Sequence, residues 1–351
     1  MVRHPKVRKI GSGMMLISAS FLLCLNLYGS LHTLRNPTLY EERNTLFQSD
    51  ITLTPGELSD CCRRLADEPD SLYVKRVCKT VNKGIAHYWI RTESDPYHLD
   101  VPFWENYLLA SYLSLWPPEV GYEFIDPAKA LERGIGLCSQ HVMAAVGILT
   151  ANDIAAKPIL LSGHMVAEVR GDDGSWYVID PDFDVVMPTD LQSIQGNVAA
   201  VIPYYESARL NPDSAKPAAK AARLADVFGS EGNVIYESVA DCWGEEAVLL
   251  EQVCYFLKWS IPAGIYVVLA IAAIRSKGRN SIHRRRPSPP MPCRSSDSDI
   301  QRSLSVRPRT PIKIVTVERQ GVEHVSPLAY TQLNHEAERE VQWGRSRFAG
   351  D

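Results

Sequence analysis

The sequence predicts an α+β domain held between two transmembrane helices. Three observations lead to this fold class. A long apolar stretch lies close to the start of the chain, a second one occupies residues 253–274, and helical periodicity gives way to strand alternation between them. The chain has 351 residues, 45% hydrophobic and 22% charged, which is ordinary for globular proteins and enough for one or two domains.

The first apolar stretch covers residues 10–31 and follows a basic segment at residues 1–9. The basic side chains of that segment are Arg3, Lys6, Arg8 and Lys9. A signal peptide that is removed needs small residues before its cleavage site, and the bulky Tyr28 stands where a small residue is required. The pattern therefore favours an uncleaved signal anchor that crosses the membrane.

The second apolar stretch, residues 253–274, has about 22 residues, which is enough to span the hydrocarbon core of a bilayer. Lys258 lies near one end and can extend its amine to the interface, while Tyr255 and Trp259 suit the aromatic belt of a membrane protein. A basic cluster follows at once, beginning at Arg275. These features predict a second transmembrane helix.

Basic residues beside a membrane helix stay in the cytoplasm, so both termini are expected there. Residues 32–252 then lie outside the cytoplasm, which means in the periplasm of a cell with an inner membrane. Residues 275–351 are rich in Arg, Ser and Pro, and we expect a disordered cytoplasmic tail, with a cytoplasmic partner for it left open. No basic stripe crosses the central region, which argues against nucleic-acid binding.

Eight cysteines are present, and none has the C-x-x-C spacing of a zinc site. No metal centre is therefore expected. Cys61 or Cys62 could form a disulfide with Cys78 or Cys242 in an oxidising compartment. Free buried thiols are the alternative, and the sequence does not decide between the two.

Residues 32–125 are expected to be mostly helical, with a helix from 103 to 115 closed by two prolines. The core of the domain is predicted for residues 126–210. Asp126 and Pro127 open a helix there, and another helix starts at Cys138. Strands are expected at 157–162, 165–170 and 176–179, with a tight turn at 172–174. Residues 211–252 are interpreted as a linker.

Three residues in this core suit nucleophilic catalysis. Cys138 follows a glycine-rich turn at a helix start, where the helix dipole favours a thiolate and should lower the pKa of Cys138. His164 begins a strand and Asp180 ends the next one, so a hairpin places an imidazole beside a carboxylate. His164 could then take the thiol proton while Asp180 orients it. Asp182 is the alternative orienter, and His141 is expected beside the site or in the core.

These residues resemble the transglutaminase-like superfamily of papain-like thiol folds, as a bacterial-type membrane-anchored member. Three runs carry the resemblance: residues 134–145 (GIGLCSQHVMAA), 163–169 (GHMVAEV) and 176–181 (WYVIDP). The resemblance covers about residues 126–188 and implies Cys138 as nucleophile, His164 as base and acid, and Asp180 as orienter. Relatives often have an aromatic residue soon after the histidine, whereas this chain has Met165 and Val166.

Family members also use an upstream side chain to hold the oxyanion. The resemblance gives Trp104 and Asn106 as candidates for that role, with the backbone N–H of Cys138 as a further donor. Anchoring of the helix on which it was predicted to lie, as a buried aromatic, is the favoured role of Trp104.

Two classes of function follow. As an enzyme, the chain would transfer an acyl group through a thioester on Cys138, as a peptidase or amidase or by cross-linking to an amine. Its substrate would be a peptide, a protein or another amide, and no cofactor would be needed. As an alternative, the domain would be a non-catalytic membrane scaffold or binding subunit of a cell-surface or polymer-export system. A sensor that signals to the tail is a third interpretation.

Overall fold

The computed structural model describes residues 5–40, 51–88, 97–118, 121–208, 217–230 and 232–284. It divides into two compact units, and the domain lies in the first, which includes residues up to Ile265. Within the described residues, the second unit holds only the C-terminal part of the last helix. The predicted tail from 285 onward lies outside the described residues.

The fold is a mixture of helices and strands, as the sequence predicts. The helices are α1 (Pro5–Leu31), α2 (Pro55–Cys62), α3 (Asp70–Gly84), α4 (Tyr107–Leu115), α5 (Pro127–Arg133), α6 (Cys138–Thr150), α7 (Leu191–Gly196), α8 (Ile202–Ser207), α9 (Pro217–Phe228), α10 (Val239–Trp243) and α11 (Glu245–Arg284). The strands are β1 (Ala86–His87), β2 (Ile135–Gly136), β3 (Ala156–Leu161), β4 (His164–Arg170), β5 (Trp176–Asp180), β6 (Val185–Met187) and β7 (Val234–Ile235).

Local signals in the sequence set the two helices before the sheet. Asp126 caps α5 by accepting a hydrogen bond from the N–H of Ala128, and Pro127 occupies the first turn, as predicted. The helix ends at Gly134, whose φ of 71° lies in the left-handed region that glycine tolerates best. After two residues of β2 the chain enters α6 at Cys138. This tight passage fixes where the thiol stands.

The main sheet has five antiparallel strands in the order β6-β5-β4-β3-β7. In the β4–β5 hairpin, Ala167 pairs with Ile179 and Glu168 with Val178. A second sheet of two short parallel strands joins β1 to β2 and sets His87 beside Gly136. The connection into α6 is therefore held by a strand from a distant part of the chain.

Both faces of the main sheet are buried, because alternate residues of its strands point into two apolar clusters. On one face, Met165 and Ala167 pack with α6 and α3. On the other face, Val166 and Val178 pack with the segment that contains α7, α8 and α9. The sheet thus forms the middle layer of the domain.

Two elements differ from the predictions. The predicted linker at 211–252 contains α9, whose Ala221, Ala225 and Phe228 are buried in the second apolar cluster, and β7, which pairs with β3. The Ala-rich segment is therefore part of the fold because its apolar face finds a partner on the sheet. The helix expected from residue 103 begins at Tyr107, since Asn106 caps it.

Two helices are long and apolar enough to cross a membrane, over Gly11–Leu31 and Glu245–Arg275. The first agrees with the predicted bounds, whereas the second starts earlier than residue 253. Its first turns belong to the domain, because the Glu251 carboxylate accepts hydrogen bonds from the N–H groups of Ile125 and Asp126 at 3.0 and 2.8 Å. The seven described cysteines are free thiols, with no disulfide among them.

Candidate active site

The Cys138 thiol stands at the first residue of α6. The preceding Gly136 lies so close to Gln140 that an added Cβ would come within 2.3 Å of that side chain. Glycine is therefore required for the backbone to pass into the helix here. Cys138 itself is almost fully buried, with 6% of its surface exposed. The sequence signal correctly predicted the helix start but not this degree of burial.

The hairpin brings an imidazole and a carboxylate together at its open end. Nε2 of His164 lies 2.6 Å from Oδ2 of Asp180, and the Cys138 thiol lies close enough to the same imidazole for each group to shift the pKa of the other. By strand register, position 182 would lie opposite His164, but β5 ends at Asp180 and the chain turns away there. Asp180 thus reaches His164 diagonally, and the structure joins all three predicted residues in one chain of contacts.

Asp180 is held by two further groups. The Tyr205 hydroxyl donates to Oδ2 of Asp180 at 2.8 Å, and the backbone N–H of Asp182 donates to Oδ1 at 3.1 Å. Tyr205 is fully buried on α8. No local motif marks this tyrosine, because its link to Asp180 exists only once α8 has packed against the end of the sheet. Sequence reasoning therefore missed it.

Burial and charge oppose each other at this site. Burial disfavours the His164 imidazolium, but the charge and hydrogen bond of Asp180 outweigh it, so the pKa of His164 is raised well above its ordinary value. Burial also raises the pKa of the Cys138 thiol, and the hydrogen bond and charge of His164 oppose this only in part. The expectation of a lowered thiol pKa is wrong for this resting geometry, because burial outweighs the stabilisation that His164 gives the thiolate.

Asp182, the alternative orienter, belongs to a different set of contacts. Its carboxylate lies 2.9 Å from Nδ1 of His87 and 3.6 Å from Nε2 of His141. Burial works against the charge of Asp182, but the two histidines outweigh it and hold the pKa of Asp182 well below its usual range. The structure therefore assigns the His164 contact to Asp180 and leaves Asp182 to brace α6 against β1.

The ligand atoms of His87, His141 and Asp182 lie within 4.8 Å of one another, which is close enough to hold a metal ion. The donor set was tested against that possibility. Both ring nitrogens of His141 already face carbonyl oxygens, Nδ1 that of Leu137 at 2.8 Å and Nε2 that of Ile85 at 2.9 Å. A metal could bind either nitrogen only by displacing the hydrogen bond to its carbonyl partner. Hydrogen bonding therefore accounts for the cluster, and His141 is a buried brace in the core.

The two oxyanion candidates lie at the start of α4. Asn106 caps that helix through Oδ1, which accepts from the N–H groups of Leu108 and Leu109. Among the described residues, its buried Nδ2 has no hydrogen-bond partner. The Trp104 ring packs beside Tyr28 and His98. The described contacts of both side chains are thus with α4, α1 and the loop before α4.

Glu123 stands at the start of α6 and was not singled out by sequence reasoning. One of its carboxylate oxygens accepts hydrogen bonds from the Leu137 N–H at 3.2 Å and the Ser139 hydroxyl at 2.8 Å. Burial raises the pKa of Glu123, and these hydrogen bonds oppose that change only in part. Glu123 therefore ties down the backbone on both sides of Cys138.

The other thiols have different surroundings. Burial raises the pKa of Cys62 to about 11 and that of Cys242 to about 12. Cys78 is fully buried, and its Sγ faces the carbonyl oxygens of Asp180 and Val185. Burial also raises the pKa of Cys78 well above its ordinary value. Cys78 is thus a buried thiol for comparison with Cys138.

The chain was compared with protein-family models, with curated proteins and with solved structures, and none of the three comparisons found a match.

Proposed function

We propose that the chain is a membrane-anchored thiol enzyme of the transglutaminase-like type, which transfers acyl groups through a thioester on Cys138. The proposal is carried by one observation, the continuous contact from the Cys138 thiol through His164 to Asp180. A buried imidazole with a carboxylate on one side and a thiol on the other is the arrangement that nucleophilic catalysis requires.

The proposed reaction begins with transfer of the thiol proton to His164. The thiolate sulfur attacks the carbonyl carbon of an amide, and the carbonyl oxygen takes the negative charge. His164 then returns its proton to the leaving amine as the C–N bond breaks, which leaves a thioester. Water releases the acyl group in a peptidase or amidase, and a second amine takes it in a cross-linking enzyme. The catalytic groups in these steps are the Cys138 thiol and the His164 imidazole, and water or the second amine supplies the acceptor.

The raised pKa of His164 supports this sequence of steps. Because Asp180 stabilises the imidazolium, it favours transfer of the proton from sulfur to nitrogen. The oxyanion would form beside the N-terminus of α6, where the backbone N–H of Cys138 and the positive end of the helix dipole can stabilise it.

The membrane arrangement is also part of the proposal. One apolar helix precedes the domain in the sequence and another follows it. A basic cluster lies before the first helix and another after the second. By the positive-inside rule both termini are cytoplasmic, and the domain faces the periplasm or cell exterior. A peptide, protein or other amide-containing molecule outside the cytoplasm would be the substrate.

One observation favours the alternative of a non-catalytic scaffold or binding subunit. Cys138 is only 6% exposed, and burial raises the pKa of its thiol, which disfavours the thiolate in the resting structure. An enzyme must expose this sulfur when substrate binds, whereas a scaffold need not.

Alkylation of the full-length protein by iodoacetamide separates the two. Cys138 should react faster than the fully buried Cys78, and the part of this advantage that comes from an activated thiol should disappear in His164→Ala. Mass spectrometry of the alkylated peptides gives both rates. Equal rates at Cys138 and Cys78, unchanged by His164→Ala, would mean that no activated thiol exists and that the scaffold is the better account.

A further inference from the structure

The surface of α4 is unusual because it is exposed and carries no charge. The helix reads YLLASYLSL, with no acidic or basic residue. Large apolar side chains project from this helix and the residues that flank it: Phe103 is 52% exposed, Tyr112 40%, Leu115 70% and Trp116 62%. We name these four side chains the α4 face. An exposed patch of this kind on a soluble surface marks a binding site.

The α4 face adjoins both helices that are long enough to cross a membrane. The Tyr107 hydroxyl, at the start of α4, donates to the carbonyl oxygen of Lys258 in α11 at 2.9 Å. The same carbonyl accepts from Nδ2 of Asn26 in α1 at 2.6 Å. Trp104 packs edge-on against Tyr28 of α1. The start of α4 is therefore fixed at the point where α1 and α11 meet.

A buried network of charged groups holds the start of α4 in place against α11. Nζ of Lys258 donates to the backbone carbonyl of Glu105 at 2.7 Å. The Glu105 carboxylate in turn binds Nζ of Lys129 at 2.9 Å and accepts from the Tyr255 hydroxyl at 2.8 Å. Removing one partner of such a buried network leaves an uncompensated charge, so the groups hold one another in place. The direction of α4 relative to α1 and α11 is thus set by the fold.

The length of α1 places the domain close to the bilayer. From Gly11 to Asn26 the helix rises roughly 24 Å at 1.5 Å per residue. This is less than the hydrocarbon thickness of roughly 30 Å. Asn26 contacts Lys258, which lies in the part of α11 that packs on the domain. If α1 enters the membrane near Gly11, the groups that contact Asn26 lie no farther out than the lipid headgroups, so the adjoining part of the domain lies at the bilayer surface.

We propose that the α4 face inserts into the headgroup region of the same bilayer, as a third membrane contact beside the two transmembrane helices. The proposal rests on the membrane anchoring given under the proposed function. Tryptophan and tyrosine favour this region, since their amphipathic rings sit at the headgroup level of the membrane–water interface. Because α4 carries no charged side chain, its insertion desolvates no charged group of that helix. The domain is then held against the membrane, so its substrates are those presented at the lipid surface.

Photo-crosslinking in liposomes tests the proposal without any need for activity. The photoreactive amino acid benzoylphenylalanine is placed at Leu115 in the full-length protein, and lipid adducts are measured by mass spectrometry. Leu65, which is 62% exposed in the loop after α2, serves as the matched control. Ile17 of α1, which is 71% exposed, reports on the anchoring itself.

The expected result is a lipid adduct yield at Leu115 close to that at Ile17 and several-fold above that at Leu65. Adducts at Ile17 but equally few at Leu115 and Leu65 would overturn the proposal while leaving the anchoring intact. Crosslinks from Leu115 to a second copy of the chain would overturn it in favour of a dimer interface. Few adducts at Ile17 would refute the anchoring and the α4 contact together, without bearing on Cys138.

Discussion

The Tyr205 hydroxyl donates to the same oxygen of Asp180 that faces His164, at 2.8 Å on one side and 2.6 Å on the other. One carboxylate oxygen is thus fixed between a phenol and an imidazole, both buried. Because the tyrosine belongs to α8, the orientation of Asp180 depends on the layer of helices that covers the far face of the sheet.

We expect Tyr205→Phe to lower the rate of Cys138 alkylation several-fold, and less than Asp180→Asn does, because the carboxylate keeps its charge but loses one constraint. A hydrogen bond to a charged group contributes about 1.5–3 kcal/mol, so the free energy of unfolding should fall by a similar amount. Tyr204→Phe, on the same helix, is the control. An alkylation rate in Tyr205→Phe equal to that of Tyr204→Phe would show that Tyr205 does not position Asp180.

The three contact residues should differ in their effect on turnover of an amide substrate. Cys138→Ser and His164→Ala should each abolish activity, since loss of such a group costs several orders of magnitude in rate. Asp180→Asn should be milder, because the geometry persists while the imidazole tautomer is no longer fixed. Cys62→Ser is the matched control and should retain full activity. Turnover in Cys138→Ser would contradict the assignment of the nucleophile.

Asp182→Asn should act mainly on stability. Its carboxylate lies 2.9 Å from His87 and 3.6 Å from His141, and removing one partner of a buried ion pair costs about 3–5 kcal/mol. Asp184→Asn is the control, since asparagine tolerates the left-handed φ of 55° there. A depressed carboxyl pKa contributes stability above the unfolded value and loses it as pH falls through the folded value. Chemical denaturation should therefore show the Asp182→Asn deficit shrinking at strongly acidic pH.

That prediction also tests the choice of orienter. If Asp182→Asn slows Cys138 alkylation more than Asp180→Asn does, in protein that remains folded by circular dichroism, Asp182 orients His164 and the assignment is reversed.

The rate of Cys138 alkylation should depend on pH through the Cys138–His164 pair. The pair must lose one proton before the sulfur reacts, and the pKa values of both groups are raised. The rate should therefore rise with pH, with a midpoint above the ordinary histidine value of 6.5. Asp180→Asn removes the charge that raises the His164 pKa, so its midpoint should move down and its maximum rate should fall. Asp226→Asn, at an exposed position of α9, should change neither the midpoint nor the maximum rate. A midpoint that Asp180→Asn leaves unmoved would disprove the linkage.

Reporter fusions test the proposed topology. A reporter joined after Tyr40 should lie outside the cytoplasm, and one joined after Ser276 should lie inside, because the positively charged flanks stay in the cytoplasm. A reporter enzyme that is active in only one compartment shows on which side of the membrane each fusion point lies. The same compartment for both fusions would exclude the two-pass arrangement, and a mature N-terminus near Ser30 would show that the first segment is cleaved.

Much of this molecule could be predicted from local sequence, because the causes are local. Asp126 and Pro127 set the start of α5, Gly134 ends it, and Cys138 opens α6, all within a few residues of one another. The hairpin turn at 172–174 fixes a register that brings the ends of β4 and β5 together.

The tertiary structure decided what depends on residues far apart in the chain. Tyr205 reaches Asp180 across 25 positions, and Asp182 turns to His87 from 95 positions away, so no short motif could pair them. The state of the thiol was decided in the same way. The sequence placed Cys138 at a helix start, where a thiolate is favoured, but burial depends on every element packed around the sulfur. In the folded domain, the cost of taking that charge out of water outweighs the stabilisation offered by one imidazole.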